Sequence, residues 1–182
     1  MMQMAIDGQL ELKSRSMVRI QVRGASGTKA KADYAALNDL VIERGGQSRL
    51  VSITLTVDKM PIVAIKADGL IVATPTGSTA YNLAAGGPIL HPEVDALVVT
   101  PICPHALTSR PFILPDRRRI QLAILGSGNR AVLTVDGIKK TTIGPNDEVW
   151  VERHGCDHLF LRKVGHNYFS LLKEKLKFGE RA

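Results

Sequence analysis

Residues 50–74, LVSITLTVDKMPIVAIKADGLIVAT, decide how the fold is read. Ile53, Leu55 and Val57 alternate with Ser52, Thr54, Thr56 and Asp58, the period of two that puts one face of a strand in a core and the other in water. GLIVAT, by contrast, is apolar at successive positions, the pattern of a central strand buried on both faces, and Pro75 cannot extend its ladder. Asp68-Gly69 between the two runs marks a turn.

The same punctuation continues in both directions. Upstream, Met17, Val18, Ile20 and Val22 alternate as a strand, GASGTK is a loop, and KADYAALNDLVIERGG has a helix-like centre before the β-branched pair Val41 and Ile42. Downstream, ALVVTPI and PFILP are short and bounded by proline. RIQLAIL and RAVLTVDG flank GSGN as a hairpin, and EVWVERHGCDHLFLRKV is expected to be another, turning at His154–Asp157. Only NYFSLLKEKLKFG has helical spacing, with Phe169, Leu172 and Leu176 on one face. Short strands at close spacing predict a mainly β chain, a two-layer sandwich-like arrangement with a few short helices and a C-terminal helix.

Composition narrows the classes of function. With 182 residues, 45% apolar and 23% charged, the chain has the size and make-up of one globular domain, 1–182. No apolar run approaches the roughly 20 residues that cross a bilayer, and charges interrupt the first twenty residues too often for a signal peptide, so a cytoplasmic protein without a membrane partner is expected. The net charge of +7 draws polyanions, but aromatics at 4% leave few rings for stacking bases, so nucleic acid is not the expected partner. Two cysteines, Cys103 and Cys156, supply no disulfide framework.

Chemistry concentrates in residues 72–89, VATPTGSTAYNLAAGGPI. Ser78 or Thr79 is placed to cap a short helix through Ala80, Tyr81, Leu83 and Ala85 that stops at Gly86, Gly87 and Pro88. Unpaired N–H groups at such a helix start, small residues at Gly77, Ser78 and Ala80, and hydroxyls at Thr76, Ser78 and Thr79 suit a phosphate or a ribose. The spacing is neither G-x-x-x-x-G-K-[ST] nor G-x-G-x-x-G. On the residues alone, a capped turn and a nucleotide seat both remain open.

DGLIVATPTGSTAYNLAAGGPILHP resembles the signature of NAD kinases. ALNDLVI resembles that family's Asn-Glu segment, LTVDG its Asp-Gly turn, and NYFSLLKEKLKFG its closing helix, so the likeness runs from about Leu10 onward. It implies the family's mostly β C-terminal domain, an ATP-dependent phosphorylation of NAD at the adenosine ribose 2′-hydroxyl, and a homo-oligomer, dimer or tetramer, with shared sites. Asn38 and Asp39 would orient the dinucleotide, with Thr76, Ser78, Thr79, Ala80 and Tyr81 on the same pocket. Asp68 would reach the substrate of a neighbouring subunit, while Asp136 and Gly137 would close another side. Asp39 departs from the family's usual glutamate, and Ile138 stands where many relatives have glutamine. ATP with a divalent cation, Mg by implication, would be the phosphoryl donor, with no tightly bound cofactor. The family's Gly-Gly-Asp-Gly-Thr motif, with the aspartate that acts on the 2′-hydroxyl, does not occur in these residues, so no catalytic residue is assigned here. The residues near 165–182 are expected to return toward the domain that carries it. Rival readings are a non-catalytic NAD(P)-binding or assembly module and a related lipid kinase, the latter disfavoured by the threonine- and tyrosine-containing signature.

Other clusters have plainer readings. His154, Cys156 and His158 have an i, i+2, i+4 spacing but no evident fourth ligand, so a polar turn is expected rather than zinc. Cys103 and His105 belong to a proline-flanked loop. Asp95 and Asp116 are turn residues, and Arg117, Arg118 and Arg119 a solvated strand edge.

Overall fold

The computed structural model describes residue 4 and residues 6–24, 30–45, 50–126, 130–145, 147–165 and 167–177. The expected loops at GASGTK and GSGN lie largely outside those residues, as does the end of the closing segment from 178. The chain divides into two units, Ser16–His158 and the pair Met1–Arg15 with Leu159–Ala182.

The larger unit holds two six-stranded sheets, all of whose pairings are antiparallel. With β1 at Leu10–Arg15, this unit begins at β2 (Val18–Gly24) and continues through β3 (Ala30–Ala36), β4 (Asp39–Arg44), β5 (Val51–Val57), β6 (Met60–Ala67) and β7 (Gly69–Ala73). Then follow β8 (Ala96–Ile102), β9 (Phe112–Pro115), β10 (Ile120–Ile124), β11 (Ala131–Val135), β12 (Ile138–Ile143) and β13 (Asp147–Arg153). The first sheet runs β3-β2-β13-β10-β5-β6 and the second β12-β11-β4-β7-β8-β9. One apolar core lies between them, where Val18, Ile20, Ile53, Leu55, Leu122 and Val149 of the first meet Leu40, Ile42, Leu70, Val72, Leu97 and Leu133 of the second. The mainly β sandwich read from the alternation is therefore the fold.

β7 is buried along its whole length, because its second face is covered too: Val41, Ile71 and Ala73 form an outer cluster with Ala85 and Ile102. That explains a strand with no polar side chain. Its entry, Asp68-Gly69, is not a hairpin turn. β6 is an edge of the first sheet and β7 lies inside the second, so the chain crosses the sandwich there. Gly69 permits the crossing, since a Cβ would stand 2.6 Å from the Ile42 carbonyl oxygen.

Other expectations change as well. KADYAA is strand β3, not helix; its alternate residues Ala32, Tyr34 and Ala36 face the core and pairing with β2 overrides alanine's helical preference. RIQLAIL and RAVLTVDG enter different sheets as β10 and β11, and β13 pairs with β10 and β2 rather than with the strand after HGCDH. Asp95 and Asp116 are more than turn residues, since both bond the guanidinium of Arg153, at 3.0 and 2.5 Å. The basic cluster is also engaged: Arg118 bonds Asp58 at 2.8 Å, and Arg119 bonds Glu152 at 2.6 Å while lying over the Trp150 ring.

In the smaller unit β1 pairs with β14 (His158–Lys163), and the closing helix spans Tyr168–Leu176. Asn167 caps it by accepting the N–H groups of Phe169 and Ser170. Leu172 and Leu176 are partly buried as expected, but Phe169 is 67% exposed and Tyr168 and Leu171 take the covered face. Among the described residues no helix is long and apolar enough to cross a membrane.

Candidate functional site

Successive residues of a strand point to opposite faces, so β4 delivers Leu40 and Ile42 to the core and Asp39, Val41 and Glu43 to the outer face of the second sheet. β11 lies alongside with Thr134 opposite Val41. Beyond β11, Asp136 and Gly137 form the two-residue turn into β12, with φ of 46° and 74°, the positive pair that an Asp-Gly hairpin turn requires. Ala80 and Tyr81 stand across from these strands. Together with Asn38 these residues enclose a pocket of about 400 Å³, inside the size range of small-molecule sites.

Asp136 organises the pocket rim. Its carboxylate accepts the backbone N–H groups of Leu37 and Asn38 at 2.8 Å and of Asp39 at 3.1 Å. Three charge-assisted bonds hold the bend before β4 and fix where Asn38 points. Asn38 is gripped from the other side as well. Its carbonyl accepts Thr74 N–H at 2.8 Å, and Gly77 lies so close that a Cβ there would fall 2.0 Å from the Asn38 oxygen. Gly77 is thus small to admit the Asn38 backbone rather than a ligand.

The hydroxyl-rich loop is mostly self-satisfied. Thr74 Oγ1 donates to Leu37 O at 2.6 Å and accepts from Gly77 N–H at 3.1 Å. Ser78 is fully buried; its hydroxyl donates to Pro75 O at 2.6 Å and accepts Leu90 N–H at 2.9 Å. Neither Ser78 nor Thr79 caps the helix. Gly77–Thr79 is a 3₁₀ turn preceded by Thr76, and the helix is only Tyr81–Ala84, entered from Ala80. An anion seat at its start is not supported by so short an element. Asn82, also fully buried, ties the loop shut: its Nδ2 donates to Ser78 O and Pro88 O, and its Oδ1 accepts Thr100 Oγ1 at 2.6 Å. Thr79 Oγ1 reaches Thr76 O at 3.3 Å, whereas Thr76 Oγ1 is buried without a partner among the described residues.

Of the residues expected to bind, Asn38, Asp39, Ala80, Tyr81, Asp136 and Gly137 line this pocket, while Asp68, Thr76, Ser78 and Thr79 do not. Asp68 sits at the crossing into β7 with its carboxylate 3.4 Å from Arg44 Nε. Val41, Glu43 and Thr134 were missed. The period-two spacing of Asp39, Val41 and Glu43 was the available signal, obscured by the helical reading of the preceding alanines. Tyr81 OH donates to Glu43 Oε1 at 3.2 Å, and burial, then the Glu43 charge, pushes its phenol above the usual range. Asp39 is 4% exposed, and burial first, then the Asp136 charge, raises its carboxyl to about 6.

The model of the ATP-NAD kinase C-terminal domain matches residues 37–160, the span that contains every part of this pocket. The chain belongs to the NAD kinase family. An NAD kinase of Bdellovibrio bacteriovorus is 48% identical over 176 residues, covering 97% of this chain and 57% of the relative; one of Koribacter versatilis is 44% identical over 149 residues, covering 81% and 52%. The chain therefore spans little more than half the length of these relatives, as their C-terminal part. A yeast NADH kinase solved with NADH superposes with a TM-score of 0.91 at 31% identity, covering 100% of this chain and 53% of that one. An Archaeoglobus fulgidus NAD kinase solved with ATP gives 0.70 at 23% identity, covering 90% and 59%, and shares the fold.

Proposed function

We propose that this NAD kinase domain supplies the dinucleotide-binding half of an ATP-dependent kinase that phosphorylates NAD on the adenosine ribose 2′-hydroxyl to give NADP. The observation that carries the reading is the pocket over β4, β11 and Tyr81, in which a buried Asp39 carboxyl has no hydrogen-bond donor among the described residues. A ribose diol offers the donors that such a carboxylate lacks. Asn38, held at its carbonyl and its N–H, presents an amide to orient the ligand, and the Tyr81 ring supplies an apolar wall. Thr76, Ser78 and Thr79 act one step back, by holding the loop that aims Ala80 and Tyr81.

The aspartate that acts on the 2′-hydroxyl and the cradle for the ATP phosphates belong, on this reading, to residues outside this chain, which is inactive by itself. Among the described residues no cluster of three or more His, Cys, Asp or Glu is placed to hold a metal by itself; the Mg of the phosphoryl donor would take most of its ligands from the phosphates and water, which calls for no such cluster. Domain 1–182 is read as a substrate-binding and assembly unit of a cytoplasmic homo-oligomer in which Asp68 serves a neighbouring subunit.

Calorimetric titration with NAD tests the assignment. Saturable binding is expected, with Tyr81→Ala and Asn38→Ala each weakening it by roughly tenfold, the worth of about one good contact. Undiminished affinity in both variants contradicts it.

A further inference from the structure

Two carboxyl groups share the inner end of the pocket, and they are treated unequally. Asp136 has its negative charge met by three backbone N–H groups, from Leu37, Asn38 and Asp39. Asp39 is buried to the same depth as core residues and lines the pocket, and among the described residues no group donates a hydrogen bond to its carboxyl; what acts on it is burial and the neighbouring charge of Asp136. The remaining titratable groups around the pocket do not help it. Glu43, two residues along the same face of β4, is a further acid whose Oε1 accepts the Tyr81 hydroxyl, and Tyr81 spends its proton there. Among the described residues lining the pocket none is cationic. β7, on the other side of β4, offers only apolar side chains.

Such a carboxyl has two ways to lower its energy. It can hold a proton, as its rise to about 6 indicates, or it can ionise once a ligand brings hydroxyl donors and shuts out water. The two are exclusive, because a hydroxyl pair that donates to both oxygens leaves no room for the proton. We infer that capture of NAD in this pocket is coupled to the release of a proton from Asp39 to solvent. The coupling rests on the dinucleotide reading and adds a regulation to it: the pocket of this chain loses ligand as the solution turns mildly acidic.

The test is calorimetry of the whole chain with NAD in two buffers of different ionisation enthalpy, near pH 6 and near pH 7.5. NAD is the probe because the 2′-phosphate of NADP titrates near pH 6 itself. The expected result is release of roughly half a proton per NAD near pH 6 and close to none near pH 7.5, with affinity falling up to tenfold per pH unit below about 6. Asp39→Asn, which cannot ionise, is expected to bind more weakly near pH 7.5 and to exchange no proton. If that variant does not fold, carbon-detected NMR of the wild-type aspartate carboxyls takes its place, and the Asp39 midpoint must drop when NAD is added. Binding without proton release near pH 6, or an Asp39 midpoint that NAD leaves in place, overturns the coupling and leaves the dinucleotide reading standing. No binding at either pH by the folded chain overturns the reading and the coupling with it.

Discussion

Asp39 and Asp136 are separated by chemistry rather than by distance, and each makes a prediction about stability. The Asp39 carboxyl is raised from 3.8 to about 6 in the folded chain, so the fold prefers it protonated. That advantage is fully present below pH 3.8 and is lost as pH rises through about 6. Asp39→Asn avoids the loss, and is expected to be more stable than the wild type above pH 6 by on the order of 2 kcal/mol, the difference shrinking toward pH 4. Urea unfolding across that range measures it, and a pH-independent difference would sink the argument. Asp136 acts through its hydrogen bonds instead. Asp136→Ala strands three N–H groups and puts alanine at φ 46°, for a loss of roughly 2 to 4 kcal/mol. Asp136→Asn keeps one acceptor oxygen and a residue that tolerates the turn, and should recover about half of it.

At the scale of elements, the loop from Thr74 to Leu90 is a rigid support whose surface, at Ala80 and Tyr81, is all that it shows to the pocket. Gly77→Ala drives a methyl into the Asn38 carbonyl. The expected cost is roughly 2 to 3 kcal/mol, together with loss of NAD affinity, and a variant with wild-type unfolding midpoint and affinity would contradict the close approach. The sequence made the strands visible wherever β-branched residues alternate with polar ones, as in β5, and it marked β7 as doubly buried. It hid β3, because Ala32, Ala35 and Ala36 are good helix formers and only the partner strand makes them extended. It also hid the crossings. Period two identifies a strand, but whether Ile124 and Ala131 end up in one sheet or two is decided by which apolar faces meet. The site was legible as a dense hydroxyl and glycine motif, yet Ser78 and Thr74 turned out to hold the loop, while Glu43 and Thr134 could be found only once β4 and β11 were known to be neighbours.

For the whole molecule, the sandwich sets a stability gradient that the site uses. β4, β7 and β8 are interior strands of the second sheet and are covered on both faces near the pocket, so their amides should exchange slowest with solvent. Leu10–Arg15 and Tyr168–Leu176 bury no side chain fully and should exchange first. Faster exchange in β7 than in the closing helix would contradict this order. The pocket is floored by β4, one of these strands, and by its neighbour β11, with Tyr81 across from them, so binding by this domain on its own is a fair test. The most direct measurement is a titration of the isotope-labelled chain with NAD followed by backbone amide NMR. Saturable shifts centred on Leu37 to Asp39, Ala80 to Tyr81 and Asp136 to Gly137 are predicted. Shifts centred elsewhere, or none from a folded chain at millimolar NAD, would contradict the assignment of this pocket.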